Sequence, residues 1–201
     1  MKTSHSARTV NRSRRQFLVA TTAAGGGFAL GINSLFGVSP AQAQAAAEAA
    51  GPEVTAWVVI KPDDTTIIRI ARSEMGQGSL TGLAQLVAEE LECDWKKVTT
   101  EQPTAGQNLA RKRVWGAMST GGSRGIRGSE DYVRRGGAAA RMMLLQAAAN
   151  EWNVPVDELK VADGIITHSA SKRSTSYGKV AAAAARLTPP DPKSIQLKDP
   201  K

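Results

Sequence analysis

Glu74-Met75-Gly76-Gln77-Gly78-Ser79-Leu80 decides how the rest of this 201-residue chain reads, because it joins a strand pattern to a helix pattern through two glycines. Just before it, Thr65 to Ala71 is rich in β-branched and apolar residues and reads as a strand. Just after it, Leu80, Leu83, Ala84, Val87 and Leu91 recur at helical spacing and predict a helix over about Leu80 to Leu91. Ser79 is the natural N-cap of that helix, since its hydroxyl can accept from a free first-turn amide. Further upstream, Glu53 to Ile60 reads as another strand. With Pro62-Asp63-Asp64 as the turn it makes a hairpin. Downstream, Lys97 to Gln102 reads as a strand after a turn at Cys93-Asp94-Trp95.

Beyond this nucleus a long irregular stretch runs from Pro103 to Gly128, of a length that marks functional or disordered loops. Ser129 caps a second helix that continues to about Trp152, with Glu130 and Asp131 in the electrostatically favourable first turn. Val133, Gly137, Arg141, Leu144, Ala148 and Trp152 share roughly one stripe of it. The pair Gly136-Gly137 costs the helix about 1 kcal/mol per residue relative to alanine, so a backbone or a ligand is expected to press close there. Leu159 to Ala162 and Ile165 to His168 form a hairpin through Asp163-Gly164, and Tyr177 to Leu187 is a last, alanine-rich helix. Thr188 to Lys201, rich in proline and lysine, reads as a linker. Strands and helices mix without strict alternation, which makes the class α+β, with mixed short strands and two longer helices.

The first forty-five residues differ in kind. A basic stretch leads to Ser13-Arg14-Arg15-Gln16-Phe17-Leu18. An uncharged run from Val19 to Val38 follows, then Pro40 and the small-x-small sets Ala41-Gln42-Ala43 and Ala43-Gln44-Ala45. That is the order of a cleavable export signal, with cleavage expected after Ala43 or Ala45. The paired arginines resemble the twin-arginine address, and Gly25, Gly26, Gly27, Gly31 and Gly37 dilute the apolar run as that route requires. The alternative is a membrane-spanning helix, for which the glycines and the alanine-type site are poorly suited. The mature part is therefore expected in the periplasm.

Charge excludes one class of partner. The formal +8 shrinks to +3 once Lys2, Arg8, Arg12, Arg14 and Arg15 are removed with the signal, so no nucleic-acid partner is expected. The single cysteine, Cys93, cannot build a disulfide, a zinc site or an iron–sulfur cluster within the chain and reads as a small apolar residue at a helix end. His168 is the only histidine of the mature part and reads as an exposed strand-end residue. With one histidine and one cysteine there is no case for a metal ligated by side chains of this chain. Arg111-Lys112-Arg113 could meet an anionic cofactor tail, but a solvated loop is the simpler account of such a run.

Two segments carry chemistry. In Met75-Gly76-Gln77-Gly78 the glycines let backbone approach a ligand, Gln77 offers a donor and an acceptor, and the following helix start presents free N–H groups that favour negative charge. In Ser119-Thr120-Gly121-Gly122-Ser123-Arg124-Gly125-Ile126-Arg127-Gly128-Ser129, backbone amides, hydroxyls and two arginines suit a phosphate or a pterin. Taken alone, the first also fits an ordinary strand-to-helix turn and the second a flexible polar loop. Neither is a P-loop or a dinucleotide fingerprint.

Together and in order, the two loops resemble the xanthine dehydrogenase/aldehyde oxidase family. Glu74-Met75-Gly76-Gln77-Gly78, followed by a helix with Glu89-Glu90-Leu91, resembles that family's E-M-G-Q-G segment. Thr120-Gly121-Gly122-Ser123 resembles its next cofactor loop. The likeness is strongest to exported large subunits of the isoquinoline 1-oxidoreductase β and membrane-associated aldehyde dehydrogenase type. It runs from about Glu53 to Lys201 and includes Ser176-Tyr177-Gly178 and Leu197-Lys198-Asp199-Pro200. The resemblance implies a molybdopterin-binding subdomain over residues 46–187, ahead of an interdomain linker at 188–201. It implies that Gly76, Gln77 and Gly78, with Thr120, Gly121, Gly122 and Ser123, hold molybdopterin cytosine dinucleotide. It further implies hydroxylation of an aldehyde or N-heterocycle, a partner subunit with [2Fe–2S] clusters, and possible delivery of electrons to a membrane cytochrome c. The family's catalytic glutamate lies in later domains, so no catalytic residue is expected among these residues. Glu74, Glu89 and Glu90 suit turn or helix-surface roles instead. A free-standing periplasmic binding or assembly module that keeps only this subdomain is the alternative reading.

Overall fold

The computed structural model describes residues 51–199; the expectations for the export segment fall outside them. The chain carries β1 (Glu53–Thr55), β2 (Val58–Ile60), β3 (Thr66–Arg69), α1 (Ser79–Leu91), β4 (Val98–Glu101), α2 (Ala105–Ala110), α3 (Arg124–Arg127), α4 (Glu130–Trp152), β5 (Leu159–Ala162), β6 (Ile165–His168), β7 (Arg173–Ser176) and α5 (Tyr177–Ala184). Strands β1 to β4 form one sheet in that order, and β5 to β7 form an antiparallel meander. The mixture is α+β, with α1 and α4 as the two longer helices.

The unit that matters for function is β3–α1–β4. Strands β3 and β4 run parallel, with Thr66 opposite Val98 and Arg69 opposite Glu101, so the chain must cross over between them. The glycine segment Ser73–Gly78 is the first half of that crossover and α1 is the second. Apolar residues of β2, β3 and α1 meet those of α4 and α5 in one core, in which Val58, Ile60, Ile68, Ala84, Val87, Leu91 and Leu144 are fully buried.

Helices α1 and α4 cross where their backbones nearly touch. A Cβ at Gly137 would stand 2.5 Å from the carbonyl oxygen of Val87, and one at Gly136 would stand 2.6 Å from the Trp57 ring. The glycine pair expected to admit another backbone does so. It also admits an indole, whose ring lies 5.2 Å from that of Tyr132.

Several local expectations are corrected. The segment from Glu53 to Ile60 is not one strand: it folds back at Ala56-Trp57 so that β1 pairs with β2, placing Glu53 opposite Val59. Its apolar run looked continuous because Val54, Trp57, Val58, Val59 and Ile60 are all buried on both sides of the bend. The irregular stretch from Pro103 to Gly128 contains two short helices. Of these, α2 opens with a capping box between Thr104 and Gln107. Strand β7 has no apolar alternation and was not expected.

His168 is buried rather than exposed, with Nδ1 against the Ser171 hydroxyl at 2.7 Å and Nε2 against the Glu158 carboxylate at 2.8 Å. Glu90 is also buried, not on a helix surface; it pairs with Arg134 and accepts from the Lys198 amide at 3.2 Å. Through that pair, and through Ile195 packed on Ala138 and Ala139, the segment after α5 lies along α4.

Candidate functional site: two apposed glycine loops

Both glycine loops come together at the head of α1. Arg72, at the exit of β3, is the buried hinge between them. Its Nε donates to the Ser129 hydroxyl oxygen at 2.8 Å and its Nη1 to the Ser119 carbonyl at 2.7 Å, which ties the second loop to the strand end. Ser73 continues the seam. Its amide and hydroxyl donate to the Met118 carbonyl at 2.8 and 2.9 Å, and its own carbonyl accepts from the Thr120 hydroxyl at 2.7 Å. Gly125 lies behind this seam, where a Cβ would reach the Ser79 and Thr120 side chains at 3.6 and 3.8 Å.

The first loop is closed on itself. Glu74 Oε1 accepts from the amides of Gly76 and Gly78 at 2.7 and 3.1 Å, and its Oε2 accepts from the Leu80 amide at 2.8 Å. These bonds, that from Leu80 foremost, hold the Glu74 carboxyl below its ordinary value of 4.5. The helix start was expected to offer free N–H groups, with Ser79 as cap. Instead Gly78 occupies the cap position in a left-handed conformation, no side chain at that position caps, and Glu74 already takes one first-turn amide, that of Leu80. Gln77, though exposed, bonds back onto its own loop: its Oε1 accepts from the Met75 amide at 2.6 Å, and its Nε2 donates to the Ser73 carbonyl at 3.0 Å and to the Ser79 hydroxyl.

The second loop is held from behind and open in front. Thr120 is half-buried, whereas Gly121, Gly122 and Ser123 are exposed. Gly122 and Ser123 both take positive φ, 58° and 57°. Among the described residues, the amides of Gly121, Gly122 and Ser123 donate to no protein acceptor. A Cβ at Gly76, Gly78 or Gly121 would meet nothing within 4 Å, so three glycines of the two loops face open space. The fit to a flat, hydrogen-bonding group such as a pterin is therefore good on the second loop's amides and on the cleared glycine faces.

Other candidate groups serve elsewhere. Arg111 pairs with Glu53 and lies 5.0 Å over the Trp115 ring, while Lys112 and Arg113 are solvent-exposed. Burial raises the Cys93 thiol to about 11, which leaves it protonated and unreactive near neutrality. Among the described residues no three His, Cys, Asp or Glu side chains converge on a metal position. Arg72 and Ser73 are the loop-joining positions that sequence reading passed over. The only available signal was a polar pair directly after an apolar strand, which ordinarily marks a surface turn.

Residues 5–199 match the family described as molybdopterin cofactor-binding domain. The chain is 36% identical over 181 residues to isoquinoline 1-oxidoreductase subunit beta of Brevundimonas diminuta, covering 87% of this chain and 22% of that protein. It is 33% identical over 174 residues to membrane-bound aldehyde dehydrogenase [pyrroloquinoline-quinone] of Gluconacetobacter polyoxogenes, covering 85% and 21%. Quinoline 2-oxidoreductase from Pseudomonas putida 86 superposes over 63% of this chain and 15% of its own, with a TM-score of 0.47 and 20% identity. The chain thus spans about a fifth of the length of the curated relatives it matches. On the extent of the family match, the chain belongs to the molybdopterin cofactor-binding domain family.

Proposed function

We propose that the two loops hold the pterin and phosphate part of molybdopterin cytosine dinucleotide. Gly76, Gln77 and Gly78 would stand on one side and Thr120, Gly121, Gly122 and Ser123 on the other. Bound there, the cofactor supplies the redox centre. The residues of this chain position it and keep the loops apposed. The observation that carries the reading is the seam at Ser73, where Thr120 bonds its carbonyl at 2.7 Å and Met118 accepts from its amide at 2.8 Å. Two loops far apart in sequence are thereby set side by side, with glycine faces cleared for a ligand.

In the larger subunit this domain serves an oxidoreductase that hydroxylates aldehydes or N-heterocycles with oxygen from water. A partner subunit with [2Fe–2S] clusters takes the electrons and passes them on to a membrane cytochrome c. One relative's name, isoquinoline 1-oxidoreductase subunit beta, supports a multi-subunit enzyme, and another's, membrane-bound aldehyde dehydrogenase, supports association with a membrane. The twin-arginine pattern at Arg14-Arg15 supports export of the loaded subunit to the periplasm.

The test is cofactor analysis of the full-length subunit purified with its partner from its own host. Molybdenum and CMP released by acid should occur in equal amounts, and both should fall in Gln77→Ala and Ser123→Ala. Molybdenum retained unchanged in both variants would overturn the site. A quinone in place of molybdenum would overturn the cofactor.

A further inference from the structure

We propose that Glu74 is a positioning residue for the cofactor, setting the shape of the first loop before any ligand arrives. The inference rests on the reading of that loop as part of the cofactor site and adds a residue to it.

The loop passes through two left-handed residues, Gly76 at φ 91° and Gly78 at φ 78°. Glycine populates positive and negative φ about equally, so such a segment has no preferred shape of its own. Something must remove that freedom, and a cap at the helix start does not suffice. A hydroxyl or carboxylate at the cap position would take an amide inside the first turn and leave those of Gly76 and Gly78 loose. One carboxylate two residues upstream of Gly76 takes both of them and the Leu80 amide as well, with the Ser79 hydroxyl at 3.4 Å.

Glu74 thus bridges the glycine turn to the first turn of α1. A negative group there also complements the positive end of the helix. Gln77 adds a second tie from inside the loop, to Ser73 and Ser79, but it cannot hold the Gly78 or Leu80 amides. The bonds favour the ionised carboxylate, so Glu74 is a charged acceptor near neutral pH. The amides committed in this way are not available to a phosphate, and the loop offers a fixed surface in place of an anion nest.

The experiment uses the full-length subunit in its native complex, as wild type, Glu74→Ala and Glu74→Gln. Hydrogen exchange across residues 73–80 reads the loop. Fluorescence of the oxidised pterin, before and after prolonged buffer exchange, reads cofactor retention. Losing three bonds to a charged acceptor should speed exchange of the Gly76, Gly78 and Leu80 amides by about ten-fold or more in Glu74→Ala. Pterin retention should fall with it. Glu74→Gln, which keeps an acceptor oxygen of the same reach, should restore both in part, as a merely space-filling role would not require. It also serves if Glu74→Ala fails to fold. Unchanged exchange in Glu74→Ala would overturn the positioning role, and loss of pterin in that case would still leave the loop as a cofactor site. Faster exchange with pterin fully retained would overturn the loop's part in the site, and the proposal with it.

Discussion

Glycine does opposite work at the helix seam and at the loops. At Gly136 and Gly137 an added Cβ would stand 2.5–2.6 Å from a neighbour. At Gly76, Gly78 and Gly121 it would meet nothing within 4 Å. The seam needs glycine because protein atoms are already there. Gly76 and Gly78 are needed for their positive φ, whereas Gly121 has neither a crowded face nor a left-handed backbone. What the contrast teaches is that the seam glycines answer to folding. Gly121, on an exposed loop, answers to no contact within the chain.

The seam should therefore break hardest. Gly137→Ala puts a methyl 2.5 Å from the Val87 carbonyl oxygen, a backbone atom that moves only if α1 moves. Overpacking of this kind should cost about 3 kcal/mol, offset only slightly by the better helix propensity of alanine. Chemical denaturation of the full-length subunit would read it, and an unshifted midpoint would show that the helices separate more easily than the contact implies. Arg72→Ala comes next. It removes two bonds from a buried guanidinium and leaves the Ser119 carbonyl without its donor, a loss of about 2 kcal/mol. Because Arg72 joins the second loop to β3, proteolytic nicking should also appear between Ser119 and Ser123 in this variant. Intact loops after long protease exposure would assign the anchoring to Ser73 and Thr120 alone.

The same contrast explains how far sequence reading reached. Helices α1 and α4 were legible because Leu83, Val87 and Leu91, and then Val133, Leu144 and Ala148, repeat at helical spacing, and burial follows that repeat. The glycine pair in α4 was legible because two glycines inside a helix have a cost that something must offset. The hairpin at Asp163-Gly164 was legible from turn chemistry, since Asp163 and Gly164 both take positive φ. Other features depend on partners distant in sequence. The bend at Ala56-Trp57 depends on Trp57 filling the space at Gly136, and β7 depends on pairing with β6. The burial of His168 and of Glu90 depends on Glu158, Ser171 and Arg134, none of which a local pattern reveals. Both loops could be picked out as candidates from local sequence. Their apposition through Arg72 and Ser73, and the occupation of the helix start by Glu74, were not, because no local period encodes a seam between residues 73 and 120.

Acid should expose the first loop before the second. Glu74 has a folded value below its ordinary 4.5, so its contribution to stability is fully present above that value and is lost as pH falls through the lower, folded one. Wild type and Glu74→Gln should differ by a constant amount above about pH 5.5 and converge as pH falls below 4.5 and through the lower, folded value. A difference that persists at low pH would mean that Glu74 acts by shape and not by charge. Gly76→Ala strains the same loop through its backbone instead. At φ 91° an alanine should cost about 1 kcal/mol at all pH values, with no clash to add to it.

Gly121→Ala is the smallest perturbation of the fold and the sharpest test of the contrast. Its φ is not in the left-handed region, and its added methyl would project into empty space. An exposed substitution without strain or contact should move the unfolding midpoint by less than about 0.5 kcal/mol. If the open face is where the pterin lies, the methyl occupies ligand volume, and cofactor content should drop in a protein that is otherwise as stable as wild type. A matched substitution on the helix surface, Asn150→Ala, controls for the change itself, since Asn150 is exposed and far along α4 from the loops. Cofactor lost at Gly121 but kept at Asn150, with both proteins equally stable, can only come from the space in front of the loop. Cofactor kept in both would mean that the open face is merely solvent, and that Gly121 has no more to explain than any other exposed glycine.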